Sequence, residues 1–105
     1  MDDHSDRMFA AADLGRRALD MTPAEIFVVY ASIGGLVTVA AMERFFAHEG
    51  ELPDREYDKL AAALNDEFLG QSGDHPVPTS RRLDDPSAIT DLAATLARLP
   101  GRGPS

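Results

Sequence analysis

Hydrophobic residues recur along this chain at intervals of three and four, the spacing of one face of an α-helix. The first clear example follows the stretch TPAE at 22–25. Its threonine, proline and glutamate fit a capping box, with proline at the first helical position. These signals predict a helix over 23–33. Its expected core residues are Ile26, Val29, Tyr30 and Ile33.

Two adjacent glycines, Gly34 and Gly35, interrupt this pattern. Each would cost roughly 1 kcal/mol in a helix interior relative to alanine, so a break is expected there, with the glycines acting as a hinge and a point of close approach between helices. The helical spacing resumes over 36–48 and again over 53–69. The expected core residues of these two helices are Leu36, Val39, Met42, Phe46, Tyr57, Leu60, Leu64 and Phe68.

Outside this predicted core of 22–69, the pattern is weaker. Residues 1–21 form an N-terminal segment, in which a short helix over 3–20 would have only a thin apolar stripe. Glycine, proline and small polar residues over 70–84 predict an extended linker. A C-terminal amphipathic helix follows over 86–99, within a segment 85–99 that Asp85 would cap, before a disordered tail over 100–105. The sequence therefore predicts an all-α fold, a small bundle of three core helices plus a C-terminal helix.

The stretch IFVVYASIGGLVTVAAM at 26–42 has no charged residue over seventeen positions, which raises the possibility of a membrane span. At helical rise these residues cover about 25 Å, less than the roughly 30 Å hydrocarbon core of a bilayer. The glycine pair divides the stretch, and its second half continues as an amphipathic pattern through Phe46. A single-span membrane protein is therefore the second alternative, and membrane association is not expected.

Eighteen acidic and ten basic residues give the chain a formal net charge of −8. The two helices around the glycine turn have the spacing of a helix-turn-helix, which makes a transcriptional regulator the first alternative. The second of these helices, however, offers DNA little besides Thr38 and Arg44. Affinity for DNA depends on cations that neutralise phosphates, so nucleic acid is not an expected partner.

The absence of cysteine excludes disulfides and thiolate chemistry, and we expect a cytoplasmic protein. His4, His48 and His75 are scattered along the chain, and the acidic residues of 49–58 lack the glycine and the terminal glutamate of a calcium-binding loop. No serine lies in a nucleophile-elbow motif. The sequence predicts no enzyme, no metal and no cofactor.

One local string, HEGELPDREYDKLAAAL at 48–64, resembles the DGxLsxxExxxL turn of TerB-like helical domains of tellurite resistance. The resemblance covers under a fifth of the chain. It implies a helical domain at this position and identifies no site residue.

Association with another protein, or with a second copy as a homodimer, is the remaining interpretation. An apolar stripe on the C-terminal helix lies beyond the predicted linker and could either fold back or dock onto a partner. Two arginines before it could pair with the acidic middle of the chain. The predicted function is thus a small acidic protein-interaction module, a regulator or adaptor. Its predicted binding residues are Arg81, Arg82, Ile89, Leu92, Leu96 and Leu99.

Overall fold

The computed structural model describes residues 3–98, which form five α-helices and contain no strand. The helices are α1 (Asp3–Ala18), α2 (Pro23–Ser32), α3 (Val39–Phe46), α4 (Asp54–Ser72) and α5 (Ala88–Arg98), with one 3-10 turn at Arg82–Asp84. The predicted all-α fold is confirmed. The predicted disordered tail over 100–105 lies outside the described residues.

Local hydrogen bonds explain where α2 and α3 begin. The Thr22 hydroxyl accepts from the Glu25 backbone N–H at 3.1 Å, and the Glu25 carboxylate accepts from the Thr22 N–H at 2.8 Å, so the predicted capping box is present. The Thr38 hydroxyl accepts from the Ala41 N–H at 3.1 Å and caps α3 in the same way. The second core helix therefore begins at Val39, three residues later than predicted.

Helix α1 is part of the core, which corrects its exclusion from the predicted three-helix unit. It packs against α3, α4 and α5, and Met8, Ala11 and Ala12 are buried. A β-carbon added at Gly15 would lie 2.9 Å from Val77 Cγ2. Small residues bring this helix close to its neighbours, and they also make its apolar stripe look thin in the sequence.

The core contains most of the residues that helical spacing assigned to it. Val29 is partly buried and packs against the core. Ile33, Leu36 and Val39 are exposed, so their assignment to the core is wrong. Ile33 and Leu36 lie beyond the end of α2 at Ser32, where the helical period no longer determines which way a side chain faces. Val39 is the first residue of α3. The predicted core residues that are buried are Ile26, Tyr30, Met42, Phe46, Tyr57, Leu60, Leu64 and Phe68.

The segment between α4 and α5 is extended but is not the free linker predicted over 70–84. Helix α4 itself continues to Ser72. Beyond it, the Asn65 amide accepts from the Val77 N–H at 2.8 Å and donates to the Val77 carbonyl at 2.9 Å. The Tyr57 hydroxyl donates to the Pro78 carbonyl at 2.8 Å. Val77 and Leu83 are buried, so this segment completes the core.

Helix α5 folds back onto the same chain and packs against α1 and the 3-10 turn. It begins at Ala88, two residues later than predicted, because Asp85 accepts from the Ser87 N–H in a turn before the helix. Leu92 is only 2% exposed. Of the two possibilities for this helix, folding back and docking onto a partner, the structure shows the first.

The charge-free stretch 26–42 is divided between α2, a loop at 33–38 and α3. Among residues 3–98, no helix has the length and apolar character that crossing a membrane requires.

Candidate functional site

The loop at 33–38 makes a tight turn against the side chain of Tyr30. Gly34 has a φ of +97°, a conformation that side-chain-bearing residues rarely adopt. A β-carbon at Gly35 would lie 2.3 Å from Tyr30 Cε2 and Cζ. The close approach predicted here was one between helices; the structure places the loop backbone against the aromatic ring of Tyr30, and a hinge at these glycines stays a prediction.

The hydroxyl of Tyr30 holds the backbone of this loop. It accepts from the Leu36 N–H at 3.0 Å and the Val37 N–H at 2.9 Å, and it donates to Glu56 Oε1 at 2.5 Å. The same carboxylate oxygen accepts from the Leu36 N–H at 2.9 Å. One buried network thus joins α2, the loop and α4.

Lys59 completes the network from the next turn of α4. Its ammonium group donates to Glu56 Oε2 at 3.0 Å and to the Gly34 carbonyl at 3.0 Å. Glu56 is only 6% exposed, and a buried carboxylate without partners would be strongly destabilising. Here each carboxylate oxygen has a donor, so the charge can be buried at the centre of the network.

The network shifts the pKa values of its two acidic groups, the Glu56 carboxyl and the Tyr30 phenol. The Tyr30 hydroxyl, the Leu36 N–H and Lys59 together lower the pKa of Glu56 to about 2, although burial opposes them. Burial raises the pKa of Tyr30, and donation to Glu56 raises it further. Near neutral pH the carboxylate is ionised and the phenol is protonated. In these states both oxygens can accept the Leu36 N–H while the phenol donates to the carboxylate, which is the hydrogen-bonding arrangement seen at the loop.

In the loop and in the helices on either side of it, the chain exposes a concentration of large apolar side chains. Among the described residues, five large hydrophobic side chains are exposed, and four of them lie within the twelve positions from 28 to 39. Leu36 is the most exposed, at 76%. One lies on α2, two in the loop and one at the start of α3. We refer to these four exposed side chains as the apolar surface: Val28, Ile33, Leu36 and Val39.

Sequence reasoning missed both this surface and the hydrogen-bond network at the loop. One signal for the network, however, is present on α4. Glu56, Leu60 and Leu64 are four residues apart and therefore share one face of the helix. A glutamate in phase with two core leucines indicates a buried carboxylate that needs donors. Lys59, one turn further along α4, is a donor that this spacing can suggest. The other two donors, the Tyr30 hydroxyl and the Leu36 N–H, are twenty or more positions away, and spacing along α4 does not reveal them.

The predicted C-terminal binding site is not an exposed apolar stripe. Leu92 is buried, and Ile89 and Leu96 are partly buried against the core. Leu99 lies outside the described residues. Arg81 and Arg82 are exposed, and within residues 3–98 neither forms the predicted ion pair with the acidic middle. The apolar members of this site mainly serve the fold.

An open cleft of about 420 Å³ lies between the start of α1 and the start of α4. Its polar groups pair with one another: His4 Nε2 lies 2.9 Å from Asp54 Oδ1, and Ser5 Oγ lies 2.5 Å from Glu51 Oε1. Over residues 3–98 no cluster of three or more histidine, aspartate or glutamate side chains could hold a metal ion. The cleft is lined by His4, Ser5, Met8, Glu51, Leu52, Pro53 and Asp54.

Comparison with known proteins gave no match to a family model, a curated protein sequence or a solved structure. The resemblance of residues 48–64 to TerB-like domains therefore remains a local one.

Proposed function

We propose that this protein is a small helical interaction module, a regulator or adaptor, that binds another protein through the apolar surface. The observation that supports this is the contrast at Leu36. Its side chain is 76% exposed, while its backbone N–H is tied to the buried hydroxyl of Tyr30 and the buried carboxylate of Glu56. The fold thus uses a buried ionic network to hold an apolar side chain in solvent.

Such an arrangement suits recognition for two physical reasons. Binding residues commonly lie on loops that a rigid scaffold positions, and grouped exposed apolar side chains are typical of interaction sites. A loop that is already ordered loses less conformational entropy when a partner binds. Hydrogen bonds of the Leu36 and Val37 N–H groups to Tyr30 hold the backbone of this loop, which supports the proposal that Leu36 is ordered before a partner binds.

No observation favours the alternative of a DNA-binding regulator. Helix α3 has one basic residue, Arg44, directly after an acidic one, Glu43. The chain as a whole has a formal charge of −8, which opposes approach to phosphates.

The cysteine-free composition supports a cytoplasmic location for the proposed module.

Two exposed leucines provide a matched test of the proposal. Leu36→Asp places a charge on the apolar surface, and Leu69→Asp places the same charge on α4, where Leu69 is 54% exposed. Leu69 is ten residues beyond Lys59 on that helix, a distance of about 15 Å. Each full-length variant would be used to purify bound proteins from the cells that make the chain. The proteins recovered would then be purified and titrated against each variant.

We expect a protein that binds the wild type and L69D with equal affinity and binds L36D at least about tenfold more weakly, because an aspartate would be desolvated in the complex. Circular dichroism should show that both variants fold, since both sites face solvent. Equal affinity of L36D and L69D for every recovered protein would overturn the proposal.

A further inference from the structure

We infer that the segment bound by the apolar surface is a cationic amphipathic stretch of another protein, with lysine or arginine beside its apolar residues. This inference depends on the proposed function and specifies the partner. It comes from the charges next to the apolar surface. Glu25 lies three residues before Val28 on α2, and Glu43 lies four residues after Val39 on α3.

These spacings place each glutamate on the same helix face as an exposed valine. Both glutamates are exposed, as are both valines. The apolar surface therefore has a carboxylate beside it on each of the two helices that flank the loop. A partner that covers the valines also approaches these two negative charges.

Neither carboxylate is neutralised within the described residues. The ion pairs of residues 3–98 do not include Glu25 or Glu43, although the Glu25 carboxylate accepts the capping hydrogen bond from the Thr22 N–H. Lys59, the basic residue bound to the loop, is already engaged with Glu56 and the Gly34 carbonyl. The two glutamates are thus open to cations from a partner.

Arg44, which follows Glu43 in sequence, is turned toward another part of the molecule. Its β-carbon would lie 3.5 Å from a β-carbon at Gly50, in the connection between α3 and α4. Successive residues on a helix are about 100° apart, so Arg44 does not share the face of Glu43 and Val39.

Charge also favours a cationic partner over a second copy of this chain as the molecule that binds this surface. A second copy of the chain would bring another net charge of −8 and the same two carboxylates, so association would be opposed by repulsion between like charges. A cationic partner gains attraction from the same charges, and complementary charge steers encounter and favours the right partner. Glu25 and Glu43 are the first charged residues on either side of the charge-free stretch 26–42, and both are acidic.

The test uses two synthetic amphipathic helical peptides, one of leucine and lysine and a twin in which glutamate replaces every lysine. Each is titrated by calorimetry into the full-length protein and its variants. Glu25→Gln with Glu43→Gln removes both charges, and glutamine at the third helical position still fits a capping box. Glu49→Gln with Asp66→Asn is the control, because these two exposed residues lie away from the apolar surface in sequence.

We expect the lysine peptide to bind the wild type, to bind E25Q/E43Q about fivefold more weakly, and to bind E49Q/D66N as it binds the wild type. Added salt should weaken the interaction. The glutamate twin should not bind. Binding of the two peptides with equal affinity, or no change in E25Q/E43Q, would overturn the inference while leaving apolar docking intact.

Two further outcomes would also overturn the inference. One is that neither peptide binds. The other is that sedimentation shows a dimer that Leu36→Asp dissociates, because the occupant would then be a second copy. The proposed function fails separately, in the comparison of L36D with L69D against cellular proteins. A protein that binds in an L36D-sensitive manner but is insensitive to E25Q/E43Q would support the function and refute the cationic partner.

Discussion

The Tyr30 hydroxyl donates a hydrogen bond to the Glu56 carboxylate at 2.5 Å and so joins α2 to α4 across twenty-six positions of sequence. Both groups also accept the backbone N–H of Leu36. The shape of the loop thus depends on a contact between two helices, and the predictions below test that dependence.

Tyr30→Phe removes the hydroxyl and keeps the buried ring. The Val37 N–H then loses its acceptor, and Glu56 loses a donor, so we expect a loss of about 1–3 kcal/mol in the free energy of unfolding. Hydrogen exchange at Leu36 and Val37 should accelerate by more than this loss of stability alone explains. Urea unfolding and residue-resolved exchange measure the two effects.

Tyr57→Phe is the control for this change, because the Tyr57 hydroxyl donates to the Pro78 carbonyl and not to the loop. It should also destabilise the protein while leaving the local exchange at Leu36 and Val37 unchanged. If Y30F and Y57F altered exchange in the loop equally, Tyr30 would not be the group that orders it.

The low pKa of Glu56 links stability to pH. Its folded pKa is about 2, against 4.5 for an ordinary glutamate, so the folded state favours the ionised form. The stabilisation that this gives is fully present above about pH 4.5 and is lost as the pH falls toward 2. The free energy of unfolding of the wild type should therefore exceed that of Glu56→Gln most clearly above about pH 4.5. The difference should shrink as the pH falls from 4.5 toward 2.

Chemical unfolding of wild type and E56Q at several pH values measures this difference. Glu49→Gln removes an exposed glutamate and serves as the comparison. A difference between wild type and E56Q that stays constant over the acidic range would show that the buried carboxylate is not selectively stabilised in its ionised form.

Gly35→Ala and Gly70→Ala should shift stability in opposite directions. A methyl group at Gly35 would overlap the buried Tyr30 ring, with contacts of 2.3 Å, and overpacking of this kind typically costs about 1–3 kcal/mol. Gly70 lies within α4 with nothing inside 4 Å of an added β-carbon, so alanine there should stabilise by about 0.5–1 kcal/mol. Thermal and urea unfolding of both variants tests the pair, and a neutral G35A would contradict the packed turn.

Leu92→Ala tests whether α5 belongs to the fold. Leu92 is buried, so its truncation should lower the free energy of unfolding by about 2–5 kcal/mol. Thr90 is exposed on the same helix, and T90A should change stability by no more than about 0.5 kcal/mol. Similar unfolding curves for L92A and wild type would mean that α5 is not docked in solution.

Sequence signals predicted the features of the fold that interactions between neighbouring residues determine. The capping box at Thr22 and Glu25 fixes the start of α2, and the apolar face of α4 follows directly from residue spacing. The exposure of Ile33 and Leu36 could not be predicted in this way, because helical spacing no longer applies once α2 ends at Ser32.

The contributions of α1 and of the segment after α4 were missed for a different reason. Alanine and glycine on α1 look like a weak stripe, although they allow close packing around Gly15. The polar residues Asn65 and Tyr57 were not expected to bind the backbone of Val77 and Pro78. Both features depend on contacts between residues that are distant in sequence.

The most direct test of the apolar surface as a binding site is photo-crosslinking in the cells that make the protein. A photoreactive amino acid would replace Leu36 in one variant and Leu69, the exposed leucine on α4, in another. The proposal predicts an adduct of defined mass with another protein from position 36 and none from position 69. Adducts of equal yield from both positions, or none from position 36, would contradict it.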